Sequence, residues 1–321
     1  MRHYRELSVF ADELVELIIR QRPKLILTID AKGFSIRLAS RLKHAMKREG
    51  WSAPIIHTVA PTVWAWGSWR RYRFAQVFDG LLCLFPFEPD YFIPIGLESH
   101  FIGHPAAFDI VAKQITSDSC VPPDVPQIVL LPGSRLSEID YILPVMVEAV
   151  DKLQQDFPKA IFTLLALPSL KDRICTLCAE KSIKVVDSDL LLSDTLAHCD
   201  AIIAASGTVT LEAALHGAPG VSCYRTSLLS ATLGRMIVDL QKVILPNAIL
   251  GLEVYPFLFQ ENLTASKLAQ CVAEILNNPR AKVDAHRRAK MLRAKLAAHS
   301  GGFEKAVAKA LDKWFVPQIF D

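Results

Sequence analysis

The sequence predicts an α/β protein built as two Rossmann-like domains facing each other across a cleft. Three observations predict it. Short apolar runs alternate with longer amphipathic segments along the chain, the pattern of strands joined by helical crossovers in parallel sheets. The alternation comes in two series, broken at 106–126 by a stretch with Pro122, Pro123 and Pro126 and no clear apolar period. The 321 residues also fit about two domains at the usual roughly 100–200 residues each.

The first series opens with a helix. In residues 5–21, Leu7, Phe10, Leu14, Leu17 and Ile18 fall on one helical face. Residues 24–30 read as a short buried strand ending on an acid, Asp30. Residues 34–50 read as a helix stopped by Gly50, and 53–61 as a strand closed by Pro61. The stretch 78–88 contains a further strand, and 100–105 a last short one. In the second series, 127–135 is strand then turn, 138–156 helix, 160–167 strand, 169–181 helix and 183–187 strand. Residues 201–208 are strand then turn, 209–217 helix and 220–224 strand. Residues 264–277, 280–299 and 303–315 are helical, the last after Ser300-Gly301-Gly302. These readings place the domains at 1–121 and 122–300, with 301–321 as a C-terminal helix packing back on the first domain. A doubly wound domain usually opens with a strand. The first domain therefore reads as incomplete at its N-terminus, beginning one βα unit late.

Hydrophobic residues make up 51% of the chain, charged residues 21%, and mean hydropathy is +0.26, a composition that builds cores and excludes a disordered chain. No apolar run reaches the roughly 18 residues of a membrane-spanning helix, and residues 1–20 lack the form of a secretory signal. The expected location is the cytoplasm, at a membrane surface. Seven cysteines argue against a disulfide framework, and the pair Cys175 and Cys178 has no second pair or histidines to complete a zinc site, so no metal is expected. Residues 280–320 carry 10 basic against 3 acidic side chains, which suits either an anionic partner or a solvated helix face. No nucleic-acid-binding motif accompanies them, and no nucleic-acid partner is expected.

Four groups of residues could carry chemistry. Gly133-Ser134-Arg135 ends a strand and precedes a helix. The glycine permits close backbone approach, the helix presents free N–H groups, and Arg135 adds a cationic fork suited to phosphate. The alternative is an ordinary turn with a surface arginine. Ser206-Gly207-Thr208 repeats the design at a second strand end, and Glu212 lies one helical turn on, where a carboxylate could hold a ribose. Plain helix caps and an exposed acid are the alternative there. Asp30 at its strand end could act as a general base or cap the helix near Phe34. Trp64, Trp66 and Trp69, followed by Arg70, Arg71 and Arg73, suit a lipid interface with indoles at headgroup level and arginines on phosphates. The spacing of Trp64 and Trp66 is strand-like, and a core aromatic cluster is the alternative. His57 reads as a satisfied core residue.

Taken in order, several of these segments resemble the lipid-A-disaccharide synthase family. They are Ile29-Asp30-Ala31, Pro61 to Trp66, Pro86-Phe87-Glu88, Gly103-His104-Pro105, Leu131 to Ile139, Ser206-Gly207-Thr208 with Leu211-Glu212, Tyr224-Arg225, and Leu245-Pro246-Asn247. The resemblance implies an inverting GT-B glycosyltransferase that joins UDP-2,3-diacylglucosamine to 2,3-diacylglucosamine 1-phosphate (lipid X), giving lipid A disaccharide 1-phosphate and UDP. It implies no cofactor, and work as a peripheral protein on the inner face of the inner membrane of Gram-negative bacteria. An apolar second domain is compatible with a homodimer. Asp30 then matches the family's essential acid, Ser134 and Arg135 its diphosphate turn, and Ser206, Gly207, Thr208 and Glu212 its nucleotide-binding strand end. Asn247 and Gln260 match polar positions lining the donor pocket. Two departures stand out. A second acid near Asp30 is replaced by Lys32-Gly33, and the usual N-terminal strand with its GE-x-SGD loop is absent, so the chain is expected to lack that unit. The competing readings are a non-catalytic UDP-binding remnant and another GT-B enzyme acting on UDP-GlcNAc.

Overall fold

The computed structural model describes residues 2–112, 125–227, 243–297 and 301–315. The chain divides into two compact units, residues 1–108 with 295–321, and residues 109–294. The division falls earlier than the expected 121/122 boundary. It falls within a helix, Pro105–Ala112, which occupies part of the expected linker and starts at a proline suited to a first helical turn. Residues 113–124 of that linker lie outside the described residues.

The first unit is a four-stranded parallel sheet, β1 (Ile26–Ile29), β2 (Ile55–Thr58), β3 (Gly80–Cys83) and β4 (Ser99–Phe101), in the order β1-β2-β3-β4. It carries α1 (Arg2–Gln21), α2 (Lys32–Arg48), α3 (Arg70–Val77), α4 (Pro89–Phe92) and α5 (Pro105–Ala112). Every residue of β2 and β3 is buried, which explains why they read as continuous apolar runs rather than alternating ones. Ile55, Leu81 and Cys83 pack with Leu38, Leu42 and Met46 of α2 and Phe74 of α3. On the opposite face, Ile56 and Leu82 pack with Phe303, Val307, Leu311 and Trp314. These come from the C-terminal helix Phe303–Leu311 and the residues just after it. A Cβ on Gly80 would come within 2.2 Å of the Trp314 ring, so the glycine lets the indole lie against the strand.

The second unit is a six-stranded parallel sheet. Its elements are β5 (Gln127–Leu131), α6 (Leu136–Asp156), β6 (Ile161–Ala166), α7 (Lys171–Leu177), β7 (Ile183–Asp187), α8 (Ser188–His198), β8 (Ala201–Ala205), α9 (Thr208–His216), β9 (Gly220–Tyr224), α10 (Leu245–Leu250), β10 (Phe257–Phe259), α11 (Ala265–Leu276) and α12 (Ala281–Leu296). The strand order is β10-β9-β8-β5-β6-β7. The chain starts in the middle at β5, moves out through β6 and β7, then returns to the other side of β5 and moves out through β8, β9 and β10. The direction reverses between β5 and β8, the place where open α/β sheets bind ligands. Ile128, Leu130, Phe162, Leu164 and Ile203 pack with Ile139, Ile142 and Met146 of α6 and with Leu268 and Val272 of α11. Full burial of side chains this size contributes roughly 1.5–3 kcal/mol each.

Among the described elements of the second unit, three were not legible in advance. Strand β10 is three residues long, and α10 is a single short helix begun by Leu245-Pro246. Helix α8 has almost no amphipathic pattern, with leucines at three consecutive positions.

Candidate functional site

The turn after β5 is built by Gly133, Ser134 and Arg135. Gly133 has φ +112°, which L side chains rarely adopt, and a Cβ there would lie 2.3 Å from Glu138 Oε2. Glu138, buried in the first turn of α6, accepts hydrogen bonds from Ser134 N (2.9 Å) and Arg135 N (3.2 Å) on Oε2. Its Oε1 accepts from Arg135 Nη1 at 2.7 Å. Two of the N–H groups expected to face a ligand are therefore taken by a carboxylate of the same chain, a correction to the expectation. The acid lies three residues after the N-cap, in the place of a capping-box Glu. That spacing, Arg135-x-x-Glu138, was the signal that could have found it. The Arg135 side chain is 74% exposed despite this anchor.

The turn after β8, Ser206-Gly207-Thr208, lies beside it. Gly207 is extended and precedes α9, whose first-turn N–H groups lack helical carbonyl partners. Thr210 Oγ1 and Thr210 N both donate to the Gly207 carbonyl, which fixes the turn. An open cleft of about 420 Å³ joins the two turns, with Gly133, Ser134, Arg135, Ser206, Gly207, Thr208 and Glu212 all on its wall. Its floor is apolar, from Leu131, Leu165, Leu167 and Ala205. The charged side chains on the wall are Arg135, Glu138 and Glu212. Tyr224, at the end of β9, senses the same charges: burial pushes its phenol up, Glu138 adds to the shift and Arg135 opposes it.

Asn247 and Gln260 stand apart from this cleft's wall. Asn247 Oδ1 accepts from Val254 N and Tyr255 N, and its Nδ2 donates to the Tyr255 carbonyl. Gln260, buried and with φ +51°, pairs both amide atoms with the backbone of Thr226. Both carboxamides are engaged in holding the backbone of their own loops.

In the first unit, Asp30 sits at the carboxyl end of β1. Asp30 and Ala31 have φ +49° and +42°, and Val59, at the end of the neighbouring β2, has φ +77°. Left-handed backbone at a β-branched residue is strained, and such strain gathers at functional edges. The N-cap of α2 is Ala31 and has no side-chain cap bond, so the Asp30 carboxylate is not spent as a cap. It is 64% exposed, and Lys32 Nζ lies 3.5 Å away. Below this edge, His57 stacks on Phe78 and bonds Thr28 Oγ1 through Nδ1 (2.8 Å), while its Nε2 has no partner. Burial, with Lys32 nearby, lowers its pKa to about 4. The expected satisfied core histidine is thus satisfied on one nitrogen.

Known proteins match the chain at both levels. The family model described as lipid-A-disaccharide synthetase matches residues 1–310. The chain belongs to the lipid-A-disaccharide synthetase family. It is 35% identical over 282 residues to the lipid-A-disaccharide synthase of Gluconobacter oxydans, covering 86% of this chain and 66% of that protein. It is 30% identical over 313 residues to that of Nitrosococcus oceani, covering 96% and 78%. The chain thus spans about two thirds to four fifths of these relatives' lengths. Among solved structures, the UDP-GlcNAc 2-epimerase from Neisseria meningitidis bound to UDP-GlcNAc aligns with TM-score 0.60 at 11% identity, covering 96% and 81% of the two chains. MurG of Acinetobacter baumannii aligns at 0.54 with 13% identity, covering 94% and 77%. These share a GT-B-like fold of two α/β domains with parallel sheets.

In this lipid-A-disaccharide synthetase family member, the tryptophan loop divides in two. Trp64 is buried, with its ring edge-on to Phe85 and Phe87 and Nε1 donating to Glu88 Oε1 at 3.4 Å. It belongs to the core rather than to an interface. Glu88 is also buried and accepts from Leu84 N and Phe85 N, both at 3.0 Å. Burial raises its pKa to about 7. Trp66 and Trp69 are 45% and 68% exposed, and Tyr72 is exposed with them. Arg70 is not presented outward for phosphate. Its guanidinium lies 3.5 Å from the Trp66 ring centre and donates to the carbonyls of Thr62, Trp66 and Gly67, strapping the loop. Arg71 donates to the Tyr72 hydroxyl, and Arg73 is exposed.

Proposed function

We propose that this chain is a lipid-A-disaccharide synthase. It would transfer diacylglucosamine from UDP-2,3-diacylglucosamine to 2,3-diacylglucosamine 1-phosphate and release UDP. The observation that carries this reading is the cleft at the reversal of strand order, with one turn from β5 and one from β8, in a chain of this family. The acceptor's 6-hydroxyl oxygen forms a bond to C1 of the donor sugar. The bond from C1 to the β-phosphate oxygen breaks, and UDP leaves with the electron pair. The hydroxyl proton goes to Asp30, which is exposed at its strand end and free of a capping role. Arg135 and the amino end of α9 offset charge on the departing diphosphate. The apolar floor receives the uracil, and Glu212 accepts hydrogen bonds from the ribose.

The exposed Trp66, Trp69 and Tyr72, with Arg73, support peripheral attachment to an anionic lipid surface, where indoles settle at the headgroup level. That surface is the inner face of the inner membrane. Among the described residues, no helix is long and apolar enough to cross it.

Transfer assayed with both lipid substrates tests the reading. Arg135→Ala is expected to lower turnover by about 10²–10³, the cost of one lost oxyanion donor. Asp30→Asn is expected to lower it by about 10²–10⁴, the usual worth of a positioned base. Undiminished turnover in either variant would remove the role given to that residue.

A further inference from the structure

The donor site contains a carboxylate placed where an anion would be expected to bind. We infer that Glu138 is a positioning residue for Arg135: it fills the amino end of α6 with its own charge and aims the guanidinium into the cleft. The inference rests on the nucleotide reading of this site. Three bonds carry it. Oε2 takes Ser134 N and Arg135 N, two amides of the turn that leads into α6. Oε1 takes Arg135 Nη1, which fixes one corner of the guanidinium plane. The Glu138 side chain is 6% exposed while that of Arg135 is 74% exposed. The carboxylate is thus set in the turn, and the arginine, one of the residues lining the open cleft, stays largely exposed. Gly133 completes the arrangement, because any Cβ would collide with Glu138 Oε2.

A phosphate and this carboxylate cannot share the same two amides, since both are anions and the donors are already spent. Arg135, held at one corner, can still offer its outer edge to a diphosphate. The bond to Glu138 also spares the long arginine side chain part of the ordering cost on binding.

The test compares UDP and uridine binding by calorimetry in wild type, Glu138→Gln, Arg135→Ala and the double variant, with thermal unfolding alongside. Glu138→Gln should weaken UDP about tenfold, the scale of one charge-assisted contact, and leave uridine unchanged, since uridine has no phosphate. In the Arg135→Ala background the same change should cost nothing further. Tighter UDP binding in Glu138→Gln would overturn the inference, because Glu138 would then only repel phosphate. An equal loss for UDP and uridine, or the same loss without Arg135, would overturn it in favour of a merely structural cap. Arg135→Lys probes the pair from the other side and leaves the cap intact. An ammonium lacks the planar fork that lets one guanidinium edge stay on Glu138 while the other meets the diphosphate, so a similar loss for UDP alone is expected, and unchanged UDP affinity would count against the inference. Failure of the wild type to bind either ligand is a separate result that overturns the nucleotide reading itself.

Discussion

His57 and Glu88 are buried in the same unit and titrate in opposite senses. His57 has a folded pKa of about 4 against an ordinary 6.5, because burial and Lys32 oppose its charged form. The unfolded chain binds the extra proton, so this residue withdraws stability as pH falls from 6.5 towards 4. Glu88 has a folded pKa of about 7 against 4.5, because burial outweighs its three hydrogen bonds. Here the folded chain binds the extra proton, so stability rises as pH falls from 7 towards 4.5. Between pH 5 and 6.5 the two offset one another. His57→Gln should therefore make the first unit gain stability on acidification from pH 7 to 5, by about 2 kcal/mol. Glu88→Gln should make it lose stability over the same range. Urea unfolding at the two pH values reads both, and slopes of the same sign in the two variants would contradict the assignment. Gly133 gives a second prediction at this scale. Gly133→Ala combines a φ of +112° with a collision at Glu138. It should cost about 1–3 kcal/mol of stability in the second unit and weaken UDP binding, and a fully stable variant with normal affinity would contradict the turn described here.

At the scale of elements, legibility followed length and period. The central strands of the second unit were readable because they are buried and so form continuous apolar runs, as in Ile128 to Leu131 and Ala201 to Ala205. Helix α8 was not, because its leucines do not repeat at a helical period, and β10 was too short to show one. The tryptophan loop was readable as a cluster but not as a division. Nothing in its sequence says that Trp64 turns inward to Glu88 while Trp66 and Trp69 stay out. Nor does it say that Arg70 turns back to strap Trp66. The charge-bearing part of the surface is correspondingly smaller than the three arginines suggest. Replacing Trp66 and Trp69 together by Ser should lower binding to phosphatidylglycerol-containing vesicles by roughly tenfold, a fraction of the burial worth of two indoles. It should leave UDP binding unchanged. Sedimentation with vesicles measures the first, and unaltered vesicle binding would move the membrane contact elsewhere.

For the whole molecule, two of the larger expectations have changed in content. Four basic residues of the segment from residue 280 are engaged within the chain. Arg288 and Arg293 donate to the carbonyls of Val254 and Leu215, and Lys282 and Arg287 pair with Asp200 and Asp284. The two-domain reading gained its functional meaning only from strand order. Composition and spacing announced a Rossmann-like pattern, but the reversal between β5 and β8 is what brings residues 133–135 and 206–208, some seventy positions apart, onto one cleft. Asp30 was legible because it ends a strand, whereas the strained backbone that presents it is a three-dimensional fact. The most direct test of the account is to incubate this chain with UDP-2,3-diacylglucosamine and 2,3-diacylglucosamine 1-phosphate, and to measure UDP and disaccharide together. The account predicts the two products in equal amounts, with both nearly abolished in Asp30→Asn and Arg135→Ala. Tight UDP binding with no disaccharide from the unaltered chain would contradict it, and would leave a nucleotide-binding protein without the transfer reaction.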